Sequence, residues 1–439
     1  MTARVETLTT NPIGERERIT SIDVLRGFAL LGILVMNIQS FAMISAAYFN
    51  PTAYGDLTGI NFLVWAASHL LADQKFMTVF SMLFGAGIVV FATRAEAKQR
   101  RSAGLHYRRM MWLAIFGLLH AYLLWYGDIL FTYAACGLLV YLLRRLKPGW
   151  LMLIGIVALT IPAGLNYLSG WMLTVWPQIA DAQMEMWAPG AELVAGELET
   201  YRGTWLQQMA NRIPFSIMIQ TAALLFFTLW RVGGLMLIGM ALFKMGVFSA
   251  TRSRAFYVAM VAVGLLIGCP LIAYGMYRCF ESAWSLAYAR FFGSQYNYWA
   301  SILVSGMWIG LVMLVCQSGI LRRLTSALAA VGRMAFTNYL MQTVICTTIF
   351  YGHGLGLYGH LERWQQILIV LGVWALQLLL SPLWLQYFRF GPLEWLWRSL
   401  SYWRPQPLLR DRRPAASPLA PPEPSASVTA SPQPADGGP

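Results

Sequence analysis

The stretch ITSIDVLRGFALLGILVMNIQSF, residues 19–41, decides the fold. Its only charges are Asp23 and Arg26, and a helix of about 20 such residues spans the roughly 30 Å hydrocarbon core of a bilayer. Thr20 and Ser21 are good N-cap residues, so the helix is expected to begin there. Asp23 and Arg26 stand three residues apart, share one helix face and can pair where the helix enters the bilayer. Asn37 follows eleven residues after Arg26, close to three turns, which places it on the same face about 16 Å deeper. Polar groups are costly in hydrocarbon and turn toward a bundle interior or a wet cavity. The stripe Asp23, Arg26, Asn37 is therefore the first candidate for a site.

Reading outward, apolar runs recur near 20–43, 74–93, 108–126, 128–143, 150–169, 213–247, 255–277, 297–317, 334–352 and 364–387. Apolar residues make up 58% of the chain and charged residues 12%, against about 25% charged in an ordinary globular domain. The expected fold is an all-α polytopic integral membrane protein, a bundle of about 10 transmembrane helices (10–11). The net charge of +13 does not point to nucleic acid, because a nucleic-acid-binding face gathers its basic residues on one soluble surface. Here they sit in short clusters between apolar runs. Arg16 and Arg18 precede the first run; Arg94, Lys98, Arg100, Arg101, Arg108 and Arg109 lie between the second and third; Arg144, Arg145 and Lys147 follow the fourth. Further clusters fall on alternate connections, so the positive-inside rule places both termini in the cytoplasm. No cleavable signal peptide is expected, since residues 1–18 are polar and the first apolar run is too long. The five cysteines show no metal-ligand or disulfide spacing, and no metal is expected.

The chain divides into a cytoplasmic segment (1–18), an N-terminal five-helix half (19–169), an outer segment (170–212), a C-terminal membrane half (213–404) and a Pro/Ala/Ser-rich tail (405–439) expected to be disordered. The outer segment mixes Trp171, Trp176, Trp187 and Trp205 with acids, which reads as an interfacial cap or short amphipathic helices. Residues 213–247 are too long for one simple span and carry Arg231-Val-Gly-Gly in the middle. One broken or partly re-entrant helix, with the break at Gly233 and Gly234, is the preferred reading, and it makes Arg231 a second place to look for function. A kinked helix with a snorkelling arginine is the alternative.

A further polar centre lies in GLLHAYLLWYGDILFTYAACGLLVYLLRR, residues 117–145. His120 is eleven residues beyond Arg109, so its depth should match that of Asn37, and the two can line one cavity if their helices are neighbours. A carboxylate beside a buried imidazole fixes its tautomer and raises its basicity, which is what Asp128 offers His120. In the bland reading His120 bonds a neighbouring helix and Asp128 caps the next one. Asp73 and Lys75 are expected to anchor a helix end by pairing, His69 to face the outer vestibule or solvent, and His353 and His360 to be solvent-exposed. Arg333, Asn338 and Gln342 form a loose polar face within GRMAFTNYLMQTVI, residues 332–345.

Five motifs in order, Asp23-x-x-Arg26-Gly27 with Asn37, Lys75-Phe76 to Gly87, His120 to Tyr133, Gly332-Arg333 to Gln342, and Gly391-Pro392 to Arg398, resemble the YeiB-like family of bacterial inner-membrane proteins, which carries the domain of unknown function 418. The resemblance covers about residues 18–404. The N-terminal half is also similar to the membrane acyltransferase superfamily that includes heparan-α-glucosaminide N-acetyltransferase, in which an acyl group from cytoplasmic acyl-CoA reaches an acceptor across the membrane. That likeness implies a transmembrane acyltransferase acting on a cell-envelope glycan, lipid or small-molecule acceptor. Arg26, beside Asp23, and the basic 94–109 stretch would receive the acyl-CoA phosphates. His120, oriented by Asp128, would be the general base and Asn37 an oxyanion donor. Arg231, Asn338 and Gln342 would complete the binding residues. The implied setting is the bacterial inner membrane, with the bilayer as partner and a homo-oligomer left open. A small-solute transporter or exporter is the competing reading, since a permeation path also uses buried polar groups and broken helices.

Overall fold

The computed structural model describes residues 19–97, 102–176, 178 and 180–410. Arg16, Arg18, Lys98, Arg100, Arg101 and the tail beyond Arg410 lie outside them. Among the described residues the regular structure is all helical, with one isolated bridge between Phe388 and Leu409.

Seven segments are long and apolar enough to cross a membrane: Thr20–Ala42, Gly59–Ala97, Pro148–Val175, Met209–Lys244, Arg254–Glu281, Leu286–Ser318 and Arg363–Tyr387. In chain order the helices that matter below are α1 (Thr20–Ala42), α2 (Ser45–Phe49), α3 (Gly59–Leu71), α4 (Lys75–Ala97), α5 (Ser102–Leu123), α6 (Leu130–Val140) and α7 (Pro148–Val175). They continue as α8 (Asp181–Trp187), α9 (Ala191–Arg202), α10 (Met209–Met218), α11 (Leu229–Lys244), α12 (Arg254–Val263), α13 (Cys269–Glu281), α14 (Ser294–Ser318), α15 (Arg322–Arg333), α16 (Ala335–Phe350), α17 (Arg363–Tyr387) and α18 (Pro392–Tyr402). The three remaining apolar runs form α5, α6 and α16.

The opening stretch is the centre of the bundle: 78% of the apolar window of α1 is buried, against 22% for α17 and 28% for α7. A helix that is apolar all round and buried is a core helix, whereas one that keeps its leucines outward faces lipid. Small residues let α1 sit deep. A Cβ on Gly27 would stand 2.0 Å from Leu328 O, and one on Gly332 would stand 2.0 Å from Asp23 O, so α1 and α15 cross backbone to backbone. Gly85 and Gly239 do the same for α4 and α11, each approaching a carbonyl of the other helix. In hydrocarbon such close packing replaces the hydrophobic drive between helices.

Three expectations are corrected. Thr20 and Ser21 do not cap α1; the cap position is Ile19, and Ser21 Oγ instead donates to Phe248 O at 2.7 Å. Residues 209–244 form one helical run whose irregular part is a π-helical stretch over Ile219–Thr228, not a break at Gly233 and Gly234. Those glycines lie within regular helix, where Gly234 meets the backbone of Gly155 on α7. The start of the tail is ordered: Arg389 N donates to Leu408 O and Arg410 N to Tyr387 O. α1 packs on α15, α4, α16 and α17, while α5 packs on α6 and α18, and residues of both α1 and α5 line one cavity. The outer segment does form short helices, α8 and α9, pinned by Trp187 Nε1 donating to Trp284 O at 2.9 Å.

Candidate functional site

The cavity has a volume of about 320 Å³. Leu30, Ile33, Leu83, Phe84, Leu113 and Tyr133 give it an apolar interior, and among the described residues Arg26, Arg94, Arg109, Arg333 and Arg398 line it against two carboxylates, Asp23 and Glu394. The expected pair is present: Arg26 Nη1 donates to Asp23 Oδ1 at 2.8 Å. Arg109 lies between two aromatic faces, 4.7 Å from the Phe91 ring and 4.6 Å from that of Trp397. Such stacking fixes a planar guanidinium while leaving its edge free to donate. The indole of Trp397 donates to Arg109 O at 2.9 Å, tying α18 over this end of the bundle.

Glu394 holds that amphipathic helix to α16. Its Oε1 accepts the N–H groups of Phe336 and Thr337, and its Oε2 the hydroxyl of Thr337, so it serves the donors that a helix start leaves unpaired. Burial pushes its carboxyl above the usual carboxylate range in spite of these bonds. A raised folded-state pKa means that the stabilising contribution is complete below the unfolded-state value and declines as pH rises through the raised one. The expected result is that Glu394→Gln flattens this loss, whose slope for one proton is at most about 1.4 kcal/mol per pH unit. Melting temperatures of the purified protein across pH 4–8 test it, and identical profiles for both proteins would refute it.

At the inner end of the cavity, Tyr339, Ile129 and Leu130 separate it from a buried polar row. His120 Nδ1 meets Asp128 Oδ1 at 2.9 Å and His120 Nε2 meets Thr343 Oγ1 at 3.0 Å. Asp128 Oδ2 also accepts Phe131 N–H at 2.8 Å, so the capping role and the imidazole-orienting role coexist in one carboxylate. The ring of Tyr339 packs 5.2 Å from that of His120. All members of the row are buried.

The other sequence candidates fall elsewhere. Asn37 is half-buried on α1 and makes no hydrogen bond to His120 or Asp128, and neither Asn37 nor His120 lines the cavity. Asn338 and Gln342 are not a loose face but a buried ladder between α16 and α17. Asn338 Nδ2 donates to Ser381 Oγ at 3.0 Å, Gln342 Nε2 to Gln377 Oε1 at 3.0 Å, and Gln377 Nε2 back to Asn338 O at 2.8 Å. Their polar groups are used across the helix pair, as polar side chains in apolar surroundings require.

Arg231 belongs to a second polar cluster. It donates to Tyr298 O at 3.3 Å and Ser301 Oγ at 3.0 Å and lies over the Tyr298 ring, while its Nε has no partner. Close in sequence to its neighbours on α14, Asn297 joins Lys75 to Asp73, which do not pair directly. Lys75 Nζ donates to Asn297 Oδ1 at 2.6 Å and to His69 O, and Asn297 Nδ2 donates to Asp73 Oδ2 at 3.0 Å. His69 Nδ1 approaches the same carboxylate oxygen at 3.2 Å and its ring stacks on Trp65, so it joins the cluster while its side chain stays partly exposed. His353 and His360 are exposed.

Residues the sequence did not single out include Thr343, Asn297, Tyr339 and His106, the last stacked on Tyr141 and bonded to Gly137 O at 2.9 Å in the cavity wall. Only their polarity inside apolar runs marked them, a weak signal without knowledge of the facing helix.

A bundle of apolar helices around a basic-mouthed internal cavity defines a multi-pass helical membrane protein. Within that class, a family profile described as "Protein of unknown function (DUF418)" matches residues 242–404. The chain is 34% identical over 395 residues to the uncharacterized protein YeiB of Escherichia coli, covering 88% of this chain and 96% of that protein. It is 32% identical over 422 residues to the uncharacterized protein YxaH of Bacillus subtilis, covering 91% and 98% respectively. The chain belongs to the YeiB (DUF418) family.

Proposed function

We propose that this protein is a transmembrane acyltransferase of the bacterial inner membrane that draws an acyl group from cytoplasmic acyl-CoA and delivers it to a cell-envelope glycan, lipid or small-molecule acceptor. One observation carries the reading: a cavity lined by five arginines and a long apolar interior, ending one side chain away from a buried His–Asp pair. Arginines suit phosphate oxygens, and an apolar interior suits an acyl chain and its pantetheine arm. At about 320 Å³ the cavity is at the small end of ligand sites, so the nucleotide portion of the donor would sit at the rim. His120 then acts as base, with Asp128 holding its tautomer. Asn37, half-buried and without a hydrogen bond, keeps its proposed role as a donor to the acyl carbonyl only if the substrate reaches α1 at that depth.

The test is acyl-CoA binding by thermal shift on purified protein. Wild type is expected to be stabilised saturably by acetyl-CoA and longer acyl-CoA. Arg109→Ala and Arg26→Ala are each expected to weaken that binding about 10-fold or more, the range for a lost charge-assisted bond. The absence of any shift on folded wild type would overturn the reading.

A second reading, export of a small solute, draws on the buried Lys75–Asn297–Asp73 cluster and on Arg231, because intramembrane cations mark ion and substrate paths. Flux in sealed proteoliposomes, with no CoA release in detergent, would favour it.

A further inference from the structure

We infer that Thr343 is the nucleophile, so that acyl transfer runs through an acyl-threonine ester on α16; this rests on the acyl-CoA reading above. Threonines in apolar helices usually return their hydroxyl to the preceding turn. Thr347 and Thr348 do so, each donating to Val344 O. Thr343 does not: it is 1% exposed, and its hydroxyl is bonded to His120 Nε2 at 3.0 Å.

The direction of that bond follows from the other end of the row. Asp128 accepts the Phe131 N–H through Oδ2 and faces His120 Nδ1 through Oδ1. An ionised carboxylate only accepts, so Nδ1 carries the imidazole proton, and in the neutral ring Nε2 is a bare lone pair. The Thr343 hydroxyl is then the donor. Hydroxyl, imidazole and carboxylate in this order are the arrangement that activates an alcohol for attack on an acyl carbon.

Tyr339 supplies the approach. It lies one turn before Thr343 on the same helix, lines the cavity and covers His120, and its hydroxyl donates to Gly127 O at 3.3 Å. For an acyl carbon in the cavity to reach Thr343, Tyr339 must swing away from His120, since it stands with Ile129 and Leu130 between the cavity and the row.

In the first step Oγ1 of Thr343 bonds to the thioester carbonyl carbon while its proton passes to His120 Nε2. The C–S bond then breaks, and the leaving thiolate takes that proton to depart as CoA thiol. In the second step an acceptor hydroxyl or amine attacks the ester carbon and gives its proton to Nε2, the C–Oγ1 bond breaks, and Thr343 recovers the proton. No oxidant or further reactant is needed.

The experiment incubates detergent-purified protein with radiolabelled acetyl-CoA and with decanoyl-CoA, quenches in acid and maps the adduct by peptide mass spectrometry. Wild type is expected to carry the acyl group on Thr343 as an acid-stable oxygen ester. T343S should retain CoA release within about tenfold, whereas T343V should keep the acyl-CoA thermal shift and lose about 10³-fold in CoA release. An adduct on another residue, or T343V turning over at the wild-type rate, overturns the inference and leaves the acyl-CoA reading standing. Wild type that neither shifts nor releases CoA fails that reading, and the inference falls with it. If T343V does not fold, the position of the wild-type adduct decides alone.

Discussion

Replacing Asn297 by leucine is expected to destabilise the protein by about 3–5 kcal/mol, the cost of removing two hydrogen bonds to buried charged groups. Lys75 is 0% exposed and Asn297 4% exposed, and this one amide serves both ends of the cluster: its oxygen accepts from Lys75 Nζ and its nitrogen donates to Asp73. Leucine keeps the volume and removes both bonds. Lys75 retains His69 O, and Asp73 retains His69, but neither contact neutralises the ammonium in hydrocarbon. Lys75→Met is expected to cost less than Asn297→Leu, because it removes the charge together with its need for an acceptor. The double variant should be more stable than Asn297→Leu alone, and that coupling isolates the Lys75–Asn297 interaction. Unfolding by denaturant in mixed micelles measures all three. A cost below about 1 kcal/mol for Asn297→Leu would mean that water or a neighbouring group already satisfies the ammonium, and would refute the structural reading of the cluster.

The sequence carried the fold through composition and periodicity, and the site only in fragments. Apolar runs of bilayer length are local signals, so α1, α4, α7 and α14 were legible, as was the Asp23–Arg26 pair three residues apart on one helix. His120 and Asp128 lie eight residues apart across a tight turn, and their contact is also close to local. The failures at the site share one cause: they depend on which helices face each other. Asn37 and His120 were matched in depth on the condition that their helices are neighbours, yet α1 packs on α15 and α16 while α5 turns to α6 and α18, and neither residue lines the cavity that the two helices share. Thr343 meets His120 across 223 residues of chain, and Asn297 meets Lys75 across 222. No pattern within one helix predicts those partners. Asn338 and Gln342 were seen as polar positions, but only the facing Ser381 and Gln377 on α17 turn them from a ligand face into a packing ladder. Gly233 and Gly234 suggested a break because residues 213–247 are too long for one simple span and carry the glycine pair in the middle. Here Gly234 is spent on a close approach to α7 instead.

Asp128→Asn is expected to lower acyl transfer about 10⁴-fold while changing stability little, because it alters the tautomer of His120 rather than the fold. The carboxylate has two tasks, accepting from Phe131 N–H at the start of α6 and from His120 Nδ1–H. An asparagine has one oxygen for them. With that oxygen on Phe131 N–H the helix start is preserved, and the amide NH₂ is turned to Nδ1. The imidazole then accepts at Nδ1 and carries its proton on Nε2, where it donates to Thr343 Oγ1 and no longer removes a proton from any hydroxyl. Arg26 and Arg109, at the mouth, are untouched, so the acyl-CoA thermal shift should match wild type. His120→Ala should lose activity to a similar degree but also leaves a void beside Tyr339 and Asp128 Oδ1 without its partner, so its loss mixes chemistry with stability. The informative comparison is therefore Asp128→Asn against wild type in CoA release and in melting temperature. A fall in activity with the fold intact assigns the pair to proton transfer. Equal activity at equal stability would reduce Asp128 to a helix cap and His120 to a bond between α5 and α16.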